Sequence, residues 1–202
     1  MTLPLGVILA GGLASRMGGG DKGLLNLGNG YVLDHVLYRL RPQVGKIALN
    51  ANGCPKRFSM FDLPIIPDSM SGYLGPLAGV LAGLDWAAEK GAEQIITVAA
   101  DTPFFADDLT HALSEACQIQ KMPIALAATQ GTAGRVFRHP TFGLWPVSLR
   151  HDLRAALELG TRKVIVWAEK HGTAEAMFAT DLFDPFFNIN TPEDLKKAEA
   201  ML

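Results

Sequence analysis

Short runs of apolar residues alternate along the chain with segments whose apolar positions recur every three or four residues. The first run, LGVILA (5 to 10), reads as a buried strand. VLDHVLYRL follows as a helix, with Val32, Leu33, Val36, Leu37 and Leu40 on one face. KIALNAN and LPIIPD read as strands. GPLAGVLAGLDWAAEKG reads as a helix with Pro76 in its first turn, Gly91 closing it and Leu77, Val80, Leu81 and Leu84 facing inward. QIITVAAD is a buried strand. Beyond it the pattern predicts a helix over about 107 to 118 and strands at IALAAT, FGLWPV and KVIVWAE. A last helix is opened by NTPEDL and capped by Asn190 or Thr191. Strand and helix in alternation specify an α/β fold with a mainly parallel central sheet, helices on both faces, and ligands at the carboxyl ends of the strands. No linker, repeat or low-complexity tract interrupts residues 1–202, so a single domain is expected.

Composition narrows the partners. The chain is 49% hydrophobic and 19% charged with a net charge of -2, which offers no basic field for nucleic acid, so an anionic ligand has to be held by local charge. No apolar run approaches the roughly 18 residues of a membrane span. The N-terminal stretch lacks the basic start and cleavage site of a signal peptide, and a cytoplasmic location is expected. Cys54 and Cys117 are isolated, without the spacing of a disulfide framework or a zinc site, and are expected to be packing residues.

Chemistry concentrates in LAGGLASRMGGGDKG, residues 9 to 23. A P-loop needs Gly-Lys-Ser/Thr, but Lys22 is followed by Gly23 and no hydroxyl is placed for a metal. Gly18, Gly20 and Gly23 match G-x-G-x-x-G, yet they lie past the strand end and lead into NLGNG rather than a long helix. What remains is a long loop leaving a core strand through Ala10, Gly11 and Gly12, where backbone without side chains can approach a base or phosphate. Arg16 and Lys22 supply the charge. The competing reading is a surface loop whose glycines serve only its turns.

A second strand, VAAD, ends on Asp101 at the same edge of the sheet. Followed by Thr-Pro, this carboxylate reads either as a cap or turn residue or as a metal ligand. Charge distinguishes the two. Beside a triphosphate a bare carboxylate would repel each nearby negative charge by ~4 kcal/mol at 4 Å and an effective dielectric near 20, so it belongs there with a cation between them. Mg²⁺, held by one or two protein oxygens together with phosphates and water, is the natural ion.

LAGGLASRMGGGDKG, LNAN, PDSMSGYLGPLAG, AADTPF, RHPTFGLWPV and FNINTPEDL together resemble, in order and over nearly the whole chain, the motifs of the molybdenum cofactor guanylyltransferases. The resemblance implies a Rossmann-like nucleotidyltransferase domain that joins GMP from GTP to the phosphate of molybdenum-loaded molybdopterin, with Mg²⁺ as cofactor and pyrophosphate released. It implies that Leu9, Ala10, Gly11 and Gly12 line the nucleotide pocket and that Lys22, assisted by Arg16, neutralises the triphosphate. It further implies that Asn50 and Asp68 contact base and ribose, that Gly75 in GPLAG begins a helix closing over the nucleotide, and that Asp101 binds Mg²⁺. Asn190, before Thr-Pro, is its second metal contact or simply a helix cap, with Asn188 nearby. The N-terminal half would bind nucleotide and the C-terminal half the acceptor, where His139, Trp145, Arg135, Arg138, Arg162 and Lys163 are candidates. Molybdenum-insertion proteins and molybdoenzyme chaperones are the implied protein partners.

A phosphate monoester is already an anionic nucleophile near neutral pH, so such a reaction needs alignment and charge neutralisation rather than a catalytic base. Rival readings are a cytidylyltransferase for the same cofactor, a sugar-phosphate nucleotidyltransferase, a non-catalytic nucleotide-binding protein and a nicotinamide oxidoreductase. Ala10-Gly11-Gly12 favours guanine within the resemblance, since the cytidylyl branch tends to carry Ala-Ala-Gly. Lys22 with Asp101 favours catalysis over binding alone, and the misplaced glycines count against the nicotinamide enzyme.

Overall fold

The computed structural model describes residues 3–11, 20–72, 74–131, 134–181 and 183–202. The first apolar run forms β1 (Leu5–Leu9), and β2 (Asn26–Leu27) and β3 (Gly30–Tyr31) make a small antiparallel hairpin. Next come α1 (Val32–Leu40), β4 (Ile47–Asn50), β5 (Ile65–Ile66), α2 (Pro76–Glu89), β6 (Gln94–Ala99) and α3 (Leu109–Gln120). β7 (Ile124–Gln130), β8 (Val136–Pro146), α4 (Arg150–Glu158), α5 (Val164–His171), β9 (Thr173–Phe178) and α6 (Pro192–Glu199) complete the chain.

Among the described residues the central sheet has seven strands in the order β5-β4-β1-β6-β8-β7-β9. β5, β4, β1 and β6 run parallel, β8 opposes both of its neighbours, and β9 is parallel to β7. The sheet is therefore mainly parallel, with one reversed strand. Successive residues of β1 enter different layers. Val7 belongs to the core layer that holds Leu81 and Leu84 of α2, Leu153 of α4 and Trp167 of α5, while Ile8 belongs to the layer that holds Leu33 and Val36 of α1 and Leu113 of α3. This double burial is why the strand reads as a continuous apolar run.

After β1 the chain adds β4 and β5 on one side and returns to place β6 on the other. The reversal of strand order opens a crevice beyond the carboxyl ends of β1 and β6. Ala10 N–H donates to Asn50 O at 2.9 Å and Ala100 N–H to Leu9 O at 3.0 Å, so the ladder fixes these three strand ends beside one another.

Three sequence expectations are corrected. KVIVWAE is helical: Val164, Trp167 and Ala168 are buried at i, i+3 and i+4, whereas Val166 is exposed. Tertiary contacts override the β preference of the valine-isoleucine run. The Trp167 indole donates to Asp152 Oδ1 at 2.8 Å, joining α5 to α4 and holding that carboxyl below its ordinary range. The edge strand is supplied instead by Thr173–Phe178, whose inward residues Ala174 and Ala176 are too small to mark it by hydrophobicity. Helix α4, which buries only Leu153 and Leu157, was also absent from the pattern. Finally, Cys54 is exposed rather than packed, while Cys117 is partly buried and burial pushes its thiol up to about 11.

FGLWPV belongs to a longer strand than expected. The β7–β8 register shifts between Leu126 and Ala127, and Pro140, which has no N–H to give, falls in the segment where pairing lapses. Among the described residues, no helix is long and apolar enough to cross a membrane.

Candidate active site

A cavity of about 870 Å³ opens at the strand-end crevice. Its lining includes Leu9, Ala10, Gly11, Lys22, Asn50, Asp68, Gly75 and Asp101, eight of the residues singled out in the sequence. Gly12 and Arg16 lie outside the described residues.

Lys22 opens a single 3-10 turn, Lys22–Leu24, closed by Leu24 N–H donating to Asp21 O at 2.9 Å. Gly23, next in that turn, is buried against Ala100, so the turn rests directly on the end of β6. The Lys22 ammonium consequently meets Asp101 Oδ2 at 2.9 Å and also donates to Asn190 Oδ1. Both members of the ion pair are only about one-fifth exposed, at 21% and 22%.

Asn190 arrives from far along the chain. Ile189 N–H donates to Asp101 O at 2.9 Å, pinning the C-terminal segment alongside β6's end. Thr191, not Asn190, caps α6: its hydroxyl accepts from Asp194 N–H at 3.1 Å. The Asn190 side chain is thus free of capping duty and faces Lys22. Asn188 accepts from the Thr102 hydroxyl, bracing the residue that follows Asp101.

The opposite wall is an amide and carboxylate network. Asn50, 2% exposed, donates from Nδ2 to Ile66 O at 3.1 Å and to Asp68 Oδ1 at 3.0 Å. Those two bonds fix the amide so that Oδ1 points towards Gly11 and Gly79. Asn52 donates to Asp68 Oδ2 at 2.7 Å and accepts from Asp68 N–H at 2.9 Å. Asp68 keeps unused lone pairs for a hydroxyl or amine donor.

Gly75 is the N-cap that precedes helix α2, and its φ of +71° lies in the left-handed region that glycine adopts without strain. One turn later Gly79 makes room for the Asn50 amide: a Cβ there would overlap Asn50 Oδ1 and lie 2.8 Å from Leu9 Cδ2. Gly79→Ala is therefore expected to displace Asn50, costing about 1–3 kcal/mol of stability and loosening Asp68. Thermal unfolding together with nucleotide titration measures both effects; unchanged affinity would separate Asn50 from ligand binding.

Asp101 Oδ2 and Asn190 Oδ1 converge on one cationic point, and a hard divalent ion takes this kind of oxygen pair, completing its shell from phosphates and water. The donor set therefore fits Mg²⁺ bound together with a polyphosphate. Among the described residues no group of three or more His, Cys, Asp and Glu forms a cage that would hold a metal unaided.

Asn52 and Arg57, both on the cavity wall, were not singled out from the sequence. Asn52 follows Asn50 by two, and that spacing on an extended segment puts both on one face. Arg57 stands in a mixed 3-10 stretch, Pro55–Phe61, that buries Phe58 and Phe61 and gives its charged residues no distinguishing local pattern.

The second-half candidates are mostly engaged elsewhere. Trp145 is fully buried and donates to Thr97 Oγ1 at 2.8 Å, which makes it a core residue. His139 shares a hydrogen bond with Thr129 at 2.9 Å and stacks on Phe186, and burial lowers its pKa below the ordinary histidine value. Arg138 is held by Glu175 and Glu169, each at 2.6 Å, Arg162 donates to the carbonyls of Leu157 and Thr161, and Arg135 lies over the Phe137 ring. Lys163 is exposed at the start of α5.

Comparison with known proteins places these features. The sequence model of the MobA-like NTP transferase domain matches residues 6–174. A molybdenum cofactor guanylyltransferase of Mesorhizobium japonicum is 48% identical over 202 residues, covering 98% of this chain and 95% of the relative. One from Bradyrhizobium is 47% identical over 199 residues, covering 97% and 92%. Among solved structures, molybdopterin-guanine dinucleotide biosynthesis protein A of Archaeoglobus fulgidus superposes with a TM-score of 0.77 at 23% identity, covering 98% of this chain and 97% of that one. A 4-diphosphocytidyl-2C-methyl-D-erythritol synthase from Anaerococcus prevotii gives 0.72 at 15% identity, covering 99% and 96%, which shows that the fold is shared beyond one substrate.

Proposed function

The chain belongs to the MobA-like NTP transferase family, and from that membership we propose that it transfers GMP from GTP to the phosphate of molybdenum-loaded molybdopterin, releasing pyrophosphate. The observation that carries the reading is the meeting of Lys22, Asp101 and Asn190 at one end of the cavity that has Asn50 and Asp68 at the other. A nucleoside triphosphate has the matching polarity, with hydrogen-bonding base and ribose at one end and dense negative charge at the other.

In this reading Asn50 Oδ1 and the spare lone pairs of Asp68 accept from base and ribose, and the backbone at Gly11 and Gly75 allows close approach. Lys22 neutralises the polyphosphate, with Arg16 assisting from the glycine-rich segment. Asp101 and Asn190 would hold Mg²⁺, which when bound supplies a Lewis acid that offsets the charge of phosphate oxygens. The acceptor's phosphate oxygen attacks the α-phosphorus in line, a new P–O–P bond forms, the bond to the β-phosphate bridging oxygen breaks, and pyrophosphate departs with that electron pair. The nucleophile is already anionic, so the residues act by alignment and by charge stabilisation, the terms that dominate phosphoryl transfer.

Pyrophosphate release from GTP, CTP, ATP and UTP, with and without molybdenum-loaded molybdopterin and Mg²⁺, tests the proposal. Release confined to GTP with both additions is expected. Release with CTP alone would make the chain a cytidylyltransferase, and release with none would leave it a binding protein.

A further inference from the structure

Arg57 has no part in the site as described so far, yet it is the most heavily bonded side chain on the cavity wall. Its Nε donates to Asp21 Oδ2, and its terminal nitrogens donate to Asp21 Oδ1 at 3.3 Å, Asn52 O at 2.7 Å and Cys54 O. Its guanidinium carbon lies 4.5 Å from the centre of the Phe58 ring, a fully buried anchor. Asp21, with a side chain only 17% exposed, directly precedes Lys22 and accepts through its backbone carbonyl the bond that closes the Lys22–Leu24 turn. A continuous polar path therefore runs from Asp68 through Asn52, Arg57 and Asp21 to Lys22 and Asp101.

Two physical consequences follow from that path. The fork fixes both oxygens of Asp21 against the segment that follows β4, where Arg57 also holds the carbonyls of Asn52 and Cys54, so the backbone from which the Lys22 side chain leaves is held in place. The guanidinium also neutralises a carboxylate that would otherwise oppose an incoming polyphosphate. We infer that Arg57 and Asp21 form a clamp that sets the direction of Lys22, making Arg57 a positioning residue that ties the base and ribose end of the cavity to its phosphate end. The inference rests on the nucleotidyltransferase reading and adds a residue to it. Lysine cannot substitute, because it lacks the planar fork that grips two carboxylate oxygens and two carbonyls together.

The test uses the full chain with Arg57→Lys, Arg57→Met, Asp21→Asn and the Asp21→Asn/Arg57→Met double variant. Affinity for N-methylanthraniloyl GTP is read by fluorescence titration, and kcat and KM for pyrophosphate release are expressed per nucleotide-binding site, so that loss of folded protein does not count. Asp21→Asn gives the sharpest reading. Removing a negative charge near a polyphosphate tightens binding if charge alone matters, whereas the clamp requires weaker binding and slower turnover. Each single variant is expected to lose about 10- to 100-fold in kcat, the scale of an ångström of misplacement, with the double variant no worse than the worse single. Tighter or unchanged binding in Asp21→Asn, wild-type turnover in Arg57→Lys, or losses that multiply in the double variant would overturn the clamp. If Arg57→Met does not fold, the two near-isosteric variants decide. Absence of transfer by the wild-type protein would instead reject the activity proposed above, and the clamp would still be judged on the analogue affinities.

Discussion

Asp101→Ala is expected to lower kcat by about 10³-fold or more while leaving the protein folded, because it removes the only acidic oxygen among the three groups that meet at the phosphate end. The residue's structural bond is made by its backbone, where Ile189 N–H donates to Asp101 O, and that bond survives the substitution. Thermal unfolding should therefore move little while pyrophosphate release collapses. Asn190→Ala removes a neutral oxygen from the same point and should cost less. Near-normal Mg²⁺-dependent turnover by Asp101→Ala would reject the assignment of this carboxylate.

Lys22→Met comes next in size. It leaves Asp101 Oδ2 and Asn190 Oδ1, both acceptors, facing each other without a donor, and it removes the ammonium at the phosphate end. A combined fall of about 10³-fold in kcat/KM for GTP is expected, the magnitude associated with losing a preorganised charge in a partly buried site. Arginine should not restore it, since its planar fork cannot take the place of a compact ammonium between two converging oxygens. Because Lys22 and Asp101 act on the same locus, the Asp101→Ala/Lys22→Met pair should be far from additive. Steady-state kinetics on the four proteins checks this, and fully multiplicative losses would show that the two residues serve separate steps.

Much of this architecture is legible in the sequence. Long, strongly patterned elements announced themselves: α1 buries the five residues that its spacing selects, and β1 and β6 are apolar on both faces because helices cover both sides. Asp101 stood out for the same reason, as a charge at the end of a core strand. What failed was local preference contested by tertiary packing. Val164, Ile165 and Val166 favour a strand as a peptide, but burying Trp167 between α4 and the sheet selects a helix. β9 was invisible because alanine fills the space that a larger neighbour leaves. Site residues split the same way. Those on strand ends were found, while Arg57 is marked by its bond to Asp21, 36 residues away, which no short window contains. Asn190 carries two readings in the sequence; Thr191 takes the cap, and the metal contact belongs to the proposal above.

Asn190 also ties the readiness of the site to the order of synthesis. Among the described residues the last strand of the sheet ends at Phe178, so a nascent chain can hold every strand while the Lys22–Asp101 pair still lacks Asn190. Only when residues 189 and 190 dock beside Asp101 is the constellation complete. A protein clipped or stalled between those two points would contain every strand of the described sheet and the Asn50–Asp68 pair, but it would lack both the buried Ile189 and the Asn190 amide, so the end of the chain serves packing and the Lys22–Asp101 constellation at once.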